Sequence, residues 1–479
     1  MKKIITLLVV LSCAYSFAQV SVAWSNFPSG VALGLDSSDN VYTAYWDSNP
    51  AGDISIVKRN SSGSIVWETS YNNTDNTRHE AATWVETDSQ GNVVVSGTIR
   101  SGFSNPVNAN SILMKFNSDG TLLWRIVYEN PFDGSSTRKC LIDANDNIYV
   151  LGIGMGSNGL VTNVKKFSPT GVALMNYFDA GYGGPFNIKF TTDNHLLIVH
   201  RSFTGSMNSF SKITPSGAFL WNTGAINSLS AGDACGDAFG NVYIVNGNYN
   251  TSSGCVLKKL SPNGDVLWSQ NNAINATRVE IDSNNNPVIG GYQEVGYGVA
   301  FAKYDSNGSL LWQNLDADGT GFSLLAHAKM KIDNEDSVYL AGGTMSQMAV
   351  CKVNNDGTSA WTIATSSGYP TDFDFGSDNS VYVTGGTTAK IFQGSLSVEN
   401  PQMIEESIKI APNPCENILE IEGVEGLKNY IIIDVSGRVV IENSFNYSPI
   451  EVSSLSSGLY QLVIFTDVNV KYQAKFVKK

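Results

Sequence analysis

The chain has 479 residues, a formal net charge of −13 and 42% hydrophobic residues, enough to bury a large core. Its acidic balance argues against a phosphate backbone as partner, so we expect no nucleic acid. The six cysteines are widely spaced and include no Cys-x-x-Cys pair, so the sequence contains no pattern typical of a zinc site or a disulfide framework. We therefore expect buried free thiols, no metal and no cofactor.

The N-terminus has the pattern of a secretory signal. Two lysines follow the first residue, an apolar run covers Ile4–Leu11, and the small residues Ser16 and Ala18 form a cleavage site. We predict a signal peptide over residues 1–18; the alternative is a lipid-modified N-terminus at Cys13. No later run is apolar and long enough to span a bilayer, so no integral membrane segment is expected after signal removal.

A first motif recurs seven times between residues 20 and 394: lysine, four residues, glycine, three residues, then tryptophan or, once, methionine. Successive glycines stand 44 to 57 residues apart, a period typical of propeller blades and stacked repeats. The copies are Lys58/Gly63/Trp67, Lys115/Gly120/Trp124, Lys166/Gly171/Met175, Lys212/Gly217/Trp221, Lys259/Gly264/Trp268, Lys303/Gly308/Trp312 and Lys352/Gly357/Trp361.

A second motif alternates with the first: a polar turn that begins with Asp and leads into a β-branched and aromatic run. Turns rich in Asp, Asn, Ser and Gly between apolar runs predict hairpins. The eight copies are DSSDNVY from Asp36, DSQGNVV from Asp88, DANDNIY from Asp143, DNHLLIV from Asp193, DAFGNVY from Asp237, DSNNNPV from Asp282, DNEDSVY from Asp333 and GSDNSVY from Gly376, where Gly replaces the Asp.

Together the two motifs predict four strands in each period, which is one propeller blade. The Asp turn occurs eight times but the Lys-Gly-Trp motif only seven times. The fourth strand of one blade therefore has to come from another part of the chain. The segment Val20–Trp24 has the composition of that strand. We therefore predict an all-β chain with an eight-bladed β-propeller over residues 20–394, closed by an N-terminal strand, which removes an exposed sheet edge. Seven blades is the alternative.

Stretches such as KFNSDGTLLW and DAFGNVYIVNG resemble SBBP-type bacterial propeller repeats. More distantly they are similar to quinoprotein-like propellers, whose fourth strands end in Gly-x-x-x-Trp. The resemblance implies the fold and no particular chemistry, because propellers carry unrelated activities.

The repeat residues themselves favour structural roles. A tryptophan at a fixed place in each period suits packing between sheets, and we expect the repeat lysines along a rim or strand edge, where charge discourages edge pairing. The Asp-rich turns lack the Gly and Glu of a calcium loop, so turn capping is favoured, with Asp316 and Asp318 the nearest exception. Trp46 and Trp84 break the period and are candidates to face a ligand.

Candidate ligand-binding cations stand near the innermost strands. Arg138 and Arg278 precede the innermost strand of their blades, His327 has a similar place, and Arg78 lies in a longer version of the same connection. In a propeller these connections open on one face around the central channel. The cations would then meet at one mouth and suit an anionic sugar or a carboxylate. Because no catalytic motif surrounds the four histidines, we expect no enzyme.

After a linker over residues 395–407, residues 408–479 are predicted to form a small immunoglobulin-like β-sandwich. This segment resembles the type A C-terminal sorting domain of the type IX secretion system, which implies handling by that machinery and export across the outer membrane. A plain immunoglobulin-like binding module is the alternative. The motif residues are Pro412, Asn413, Pro414, Asp434, Gly437, Arg438, Gly458 and Tyr460.

The sequence as a whole predicts a secreted or cell-surface propeller that acts as a binding or adhesion module for a glycan or protein ligand. A structural surface scaffold without a small ligand is the second hypothesis. A secreted enzyme, either a hydrolase or quinoprotein-like, is the third.

Overall fold

The computed structural model describes residues 20–46, 52–72, 79–100, 109–128, 133–156, 159–180, 183–202, 207–227, 232–247, 255–293, 298–315, 317, 329–344, 347–365, 368–393, 409–422, 427–434, 439–444, 449–466 and 471–479. The predicted signal peptide and linker lie outside these residues. One compact unit takes in residues 18–394 and another takes in residues 395–479. Every regular element of the described residues is a β-strand, which confirms the all-β prediction. The described part of the chain contains no helix that could cross a membrane.

The larger unit consists of eight antiparallel sheets, numbered here in chain order. Sheet 1 contains β2 (Leu33–Leu35), β3 (Val41–Trp46), β4 (Ile54–Arg59) and β5 (Ile65–Tyr71), and sheet 2 contains β6 (His79–Thr87), β7 (Val93–Arg100), β8 (Asn110–Phe116) and β9 (Leu122–Tyr128). Sheet 3 contains β10 (Asp133–Ile142), β11 (Ile148–Gly156), β12 (Gly159–Phe167) and β13 (Ala173–Ala180). Sheet 4 contains β14 (Gly184–Phe190), β15 (Leu196–Arg201), β16 (Met207–Ile213), β17 (Phe219–Asn222) and the short β18 (Ile226–Asn227).

The second half of this unit continues the same plan. Sheet 5 contains β19 (Asp233–Gly236), β20 (Val242–Gly247), β21 (Cys255–Leu260) and β22 (Val266–Asn272). Sheet 6 contains β23 (Ile274–Ile281), β24 (Pro287–Gln293), β25 (Val299–Tyr304) and β26 (Leu310–Asn314). Sheet 7 contains β27 (Lys329–Ile332), β28 (Val338–Thr344), β29 (Gln347–Val353) and β30 (Ser359–Ala364). Sheet 8 contains β31 (Asp372–Phe375), β32 (Val381–Thr384), β33 (Thr388–Gln393) and, as its fourth strand, β1 (Val20–Asn26).

The strand β1 reproduces the register of the other fourth strands. In sheets 1 to 7 each repeat lysine pairs with the repeat tryptophan or methionine, and a β-bulge follows directly. In sheet 8 Trp24 pairs with Lys390, and the bulge falls between Val22 and Trp24. The first strand of the unit therefore occupies the place that the repeat pattern leaves open.

The eight Asp turns share one backbone conformation. The fourth residue of each turn has a φ between 58° and 80°, in the left-handed region, and is Asp, Asn or Gly in every sheet. These residue types adopt that region at the lowest steric cost, which explains the composition of the motif. In sheet 4 the turn begins at Thr191, whose backbone N–H donates to His195 O, so the interpretation of Asp193 as its first residue is wrong.

The expectation that the repeat lysines lie along a rim or strand edge is also wrong, because their side chains are only 1–16% exposed and form ion pairs with the turn carboxylates. In sheet 2 Lys115 Nζ lies 2.7 Å from Asp88 Oδ2, with side chains 6% and 1% exposed. The other oxygen, Oδ1, accepts hydrogen bonds from the backbone N–H of Gln90 and Asn92. The equivalent pairs are Lys58–Asp36, Lys166–Asp143, Lys212–Asp193, Lys259–Asp237, Lys303–Asp282, Lys352–Asp333 and Lys390–Asp378.

The Lys-Gly-Trp repeat joins neighbouring sheets. Trp67 Nε1 of sheet 1 donates to Ser118 O in the turn of sheet 2 at 2.8 Å, and Lys58 Nζ donates to the same oxygen at 3.0 Å. Gly120 of that turn has a φ of 84°, and a Cβ there would lie 2.9 Å from the Trp67 ring. The packing role predicted for the tryptophans is confirmed. The same donation occurs at Trp24–Ser61, Trp124–Pro169, Trp221–Pro262, Trp268–Ser306 and Trp312–Asn355.

The smaller unit packs two sheets around one core. One sheet contains β34 (Lys409–Ala411), β35 (Ile418–Glu422) and β38 (Ile450–Glu451). The other contains β36 (Leu427–Asp434), β37 (Val439–Ser444), β39 (Gly458–Thr466) and β40 (Lys471–Lys478). Leu419, Ile432, Leu462 and Phe476 are among the residues of the shared core. Cys415 is buried here as a thiol and not in a disulfide, as are the four buried cysteines of the larger unit.

The joint between sheets predicts the effect of filling a turn glycine. Gly357 has a φ of 86°, and a Cβ there would lie 2.7 Å from the Trp312 ring. Gly357→Ala therefore adds both backbone strain and a clash, and we expect it to lower the free energy of unfolding by about 2–4 kcal/mol in urea denaturation. Gly224→Ala is the matched control, because its φ is 70° but a Cβ there meets open space. Equal losses in the two variants would contradict the clash.

The buried ion pairs predict a second effect on stability. Lys115→Met leaves the carboxylate of Asp88 buried without its cation, and we expect a loss of about 3–5 kcal/mol in the free energy of unfolding. The double variant Lys115→Met with Asp88→Asn is expected to recover part of that loss, since no buried charge remains. Lys258→Met is the control, because Lys258 alternates with the repeat lysine on β21 and faces the other side. A double variant as unstable as Lys115→Met would refute the explanation.

Candidate functional site

The first strands of the sheets line one cavity of about 500 Å³, here called the first-strand cavity. Its lining takes residues from the first strand of every sheet except sheet 5. Sheet 5 takes part through Asp233, which holds the lining residue Lys189 by an ion pair of 2.7 Å. Seven separate strands thus present side chains to one half-open cavity of the size that holds a small ligand.

Strand alternation explains which side chains reach the cavity. Residues two positions apart on a strand share a face. Trp84 and Glu86 both line the cavity from β6, and Trp84 Nε1 donates to Glu86 Oε1 at 2.9 Å. The same spacing gives the lining pairs Lys139/Leu141, Asn187/Lys189, Arg278/Glu280, Lys329/Lys331 and Asp372/Asp374. In each sheet these are the residues two and four positions before the first residue of the Asp turn.

Ion pairs between sheets fill much of the cavity wall. Lys189 Nζ lies 2.7 Å from Asp233 and 2.8 Å from Glu280 Oε1, so it joins three sheets. Burial disfavours its charge, but the two carboxylates outweigh that effect and raise the pKa of Lys189. Sheets 7 and 8 are joined by the ion pairs Lys329–Asp372 and Lys331–Asp374. These lysines are held by protein carboxylates.

Lys139 differs from the other cavity lysines. Its Nζ donates to Asn187 Oδ1 at 3.0 Å and lies 5.0 Å from the centre of the Trp84 ring. Among the described residues no carboxylate lies within 4.0 Å of this nitrogen. Burial, and then the charge of Lys329, lower the pKa of Lys139 to about 8. Burial also raises the pKa of Glu86 to about 7.

Of the six predicted ligand residues, the structure brings Trp84 and Arg278 into the first-strand cavity. Arg138 is exposed on β10 at a β-bulge and is not among the lining residues. The backbone of Trp46 belongs to β3, but its side chain lies outside the described part, as do the whole residues 78 and 327. The ligand role of all six stays a prediction.

The residues that dominate the cavity were missed by sequence analysis. Lys139, Lys189, Lys329, Glu86 and Asp372 belong to no motif. The sequence does contain one signal for these residues, which is their position. Charged residues recur two and four positions before the Asp turn, in first strands that are otherwise largely apolar. Among the described residues, no group of three or more His, Cys, Asp or Glu side chains could hold a metal ion. The candidate calcium residues at positions 316 and 318 lie outside the described ranges.

One histidine contacts a serine, but in a closed environment. His200 Nε2 lies 2.8 Å from Ser211 Oγ, and Nδ1 lies 3.0 Å from Thr162 Oγ1. The three side chains are buried, and burial lowers the pKa of His200 to about 4. The neutral imidazole therefore satisfies polar groups of the core between sheets 3 and 4.

The sorting-motif residues join the two ends of the smaller unit. Asn413 Nδ2 donates to Lys475 O at 3.0 Å, and Asn413 Oδ1 accepts from the backbone N–H of Val477 at 2.9 Å. Tyr460 Oη donates to Ser456 O and its ring stacks on Phe476. Residues 437 and 438 of the motif lie outside the described ranges. The described motif residues Pro412, Asn413, Pro414, Asp434, Gly458 and Tyr460 all belong to this unit.

Comparison with solved structures identifies the fold of the larger unit. The structure of the Dos1 propeller is 11% identical, with a TM-score of 0.51, over 78% of this chain and 95% of that chain. The WD40 beta propeller domain of Doa1 is 9% identical, with a TM-score of 0.40, over 79% and 99%. A protein of unknown function from Bacteroides caccae is 12% identical, with a TM-score of 0.37, over 68% and 94%. The first of these likenesses shows a β-propeller fold.

The other comparisons concern sequence. Among functionally curated proteins, none matches this chain. The family model for the secretion system C-terminal sorting domain matches residues 409–479, which are the described part of the smaller unit and the gaps within it. The chain therefore carries a type IX sorting domain, and it is exported to the cell surface or secreted.

Proposed function

We propose that residues 20–394 form an eight-bladed β-propeller, closed by β1, that acts outside the cell as a binding module for a glycan or protein ligand. The observation that carries the proposal is the convergence of seven first strands on one cavity of about 500 Å³. A cavity of this size, at which several strands meet and on which charged and aromatic side chains converge, is the first candidate for a ligand site. In this proposal the module binds its ligand without chemical change, and its repeats are of the SBBP type.

Contacts between sheets 8 and 1 support a closed ring. Ser377 of sheet 8 donates its backbone N–H to Asp39 Oδ1 of sheet 1 at 2.8 Å. Consecutive sheets use the equivalent contact at Ser89–Asp146, Ala238–Asn285 and Ser283–Asp336. The Trp24–Ser61 hydrogen bond likewise joins sheets 8 and 1 in the manner of the other repeat tryptophans. The last sheet thus meets the first as its neighbours meet one another.

The export signal supports the location of the proposed activity. A sorting domain directs the propeller to the outside of the cell, where soluble and surface-bound glycans and proteins are the accessible partners. Rigid rings that place a cavity at their centre suit recognition, because the wall is fixed by sheet packing before the ligand arrives. The scaffold hypothesis differs in predicting that the cavity takes no ligand.

A glycan array with the mature protein, followed by calorimetry of the best ligand, tests this function. Phe186 lines the cavity and is 38% exposed, so its truncation removes contact area without opening the core. We expect Phe186→Ala to weaken binding by at least about tenfold, which is about 1.4 kcal/mol.

Phe219→Ala is the matched control, because Phe219 is 50% exposed on the outer strand of the same sheet. Its binding is expected to equal that of the unmodified protein. If a ligand binds Phe186→Ala and Phe219→Ala with the same affinity, its binding site lies outside the first-strand cavity. If the array shows no bound glycan, and if no protein ligand binds in a way that depends on Phe186, the scaffold hypothesis is favoured.

A further inference from the structure

The charges of the first-strand cavity are unequally satisfied. Five cations and four carboxylates line it, and the cations are Lys139, Lys189, Arg278, Lys329 and Lys331. Lys189, Lys329 and Lys331 are held by protein carboxylates in ion pairs. Lys139 is held by an amide oxygen instead, that of Asn187. A half-buried ammonium that lacks a carboxylate partner is stabilised when an anion enters its site.

The position of Lys139 makes its ammonium available to a ligand. It lies 5.0 Å from the centre of the Trp84 ring, and Lys329 Nζ lies 5.8 Å from the same centre. Two cations that share one indole repel each other, and a single negative charge between them would offset that repulsion. With every group charged, five cations and four carboxylates line the cavity, which leaves a formal excess of one positive charge for a single anionic group to neutralise.

We propose, on the basis of the binding function proposed above, that the ligand is a glycan bearing a carboxylate, and that Lys139 binds this carboxylate. A uronic acid unit supplies one negative charge on a ring of the size that the cavity admits. The exposed ring of Phe186 supplies an apolar surface in the same cavity for the sugar's C–H face. The protein thereby distinguishes acidic from neutral glycans of the same shape.

The same geometry makes binding depend on pH. Lys139 and Glu86 interact electrostatically with each other, and they also experience the charges of Lys329, Lys189 and Asp372. As pH rises from 6 to 9, Glu86 gains a negative charge, since burial holds its pKa at about 7, and Lys139 then loses its proton near its pKa of about 8. Both changes make the site less positive, so affinity for a carboxylate falls. An ordinary exposed lysine, with a pKa near 10.4, would keep affinity constant over this range.

The test is calorimetry of the full mature protein with galacturonic acid, which carries one carboxylate, and with its methyl ester, which has nearly the same shape without the charge. At pH 6 the acid is expected to bind at least about tenfold more tightly than the ester, and at pH 9 that advantage is expected to disappear. Lys139→Met should remove the advantage at pH 6, whereas Glu86→Gln should keep it at pH 6, where Glu86 is already mostly neutral. The comparison of acid with ester at pH 6 and pH 9 decides the question even if Lys139→Met does not fold.

Lys165→Met is the control, because Lys165 also lies 5.0 Å from the centre of an aromatic ring, that of Tyr128, but lines a different groove. Its binding should equal that of the unmodified protein. Equal affinities for acid and ester, or binding of neither while another glycan still binds in a Phe186-dependent way, would overturn the carboxylate inference and leave the binding module intact. Failure of every ligand would overturn the binding module itself.

Discussion

An ion pair between a turn carboxylate and a largely shielded lysine of the third strand recurs in every sheet of the propeller. It joins the first hairpin turn to the third strand, and the same ammonium reaches the turn of the next sheet in sheets such as 1, 2 and 5. Burying two charges is unfavourable, but the carboxylate also accepts backbone hydrogen bonds, so its full capacity is used. In Asp88, burial alone would raise the pKa, whereas hydrogen bonds from Lys115 and Asn92 lower it. One pair thereby fixes both the hairpin and the position of the neighbouring sheet.

The strands can be predicted from the sequence because turn chemistry is local. The left-handed residue of each Asp turn needs Asp, Asn or Gly, and this requirement is visible in any single copy. The burial of the repeat lysines was not visible, because Lys58 finds its partner Asp36 across a hairpin and its second acceptor in another sheet. A lysine among apolar neighbours suggests an exposed side chain when its strand is considered alone, whereas its regular recurrence indicates a partner at a fixed position in each sheet.

The candidate site was predicted only in part for a similar reason. Trp84 and Arg278 were singled out as an off-period aromatic residue and a cation near an innermost strand, and both line the cavity. Lys139 follows Arg138 directly, yet the bulge and the pleat direct Lys139 to the cavity and leave Arg138 exposed. Which of two adjacent cations faces a ligand depends on strand phase, and that phase is set by the turn that follows.

The pairing of β1 with β33 has a consequence for how the protein forms. These strands are the first and last of the unit, so sheet 8 joins residues that are separated by almost the entire propeller sequence. Contacts between residues so far apart in sequence form late in folding. Closing a long loop costs conformational entropy before the two strands gain any favourable contact energy. During synthesis the early strand has no partner until the last hairpin has been made. The outer edge of sheet 8 is therefore complete only after the last strand of the unit has been synthesised. A chain truncated before that strand leaves β1 and the remainder of sheet 8 with unpaired edges, which can pair with other copies of the chain.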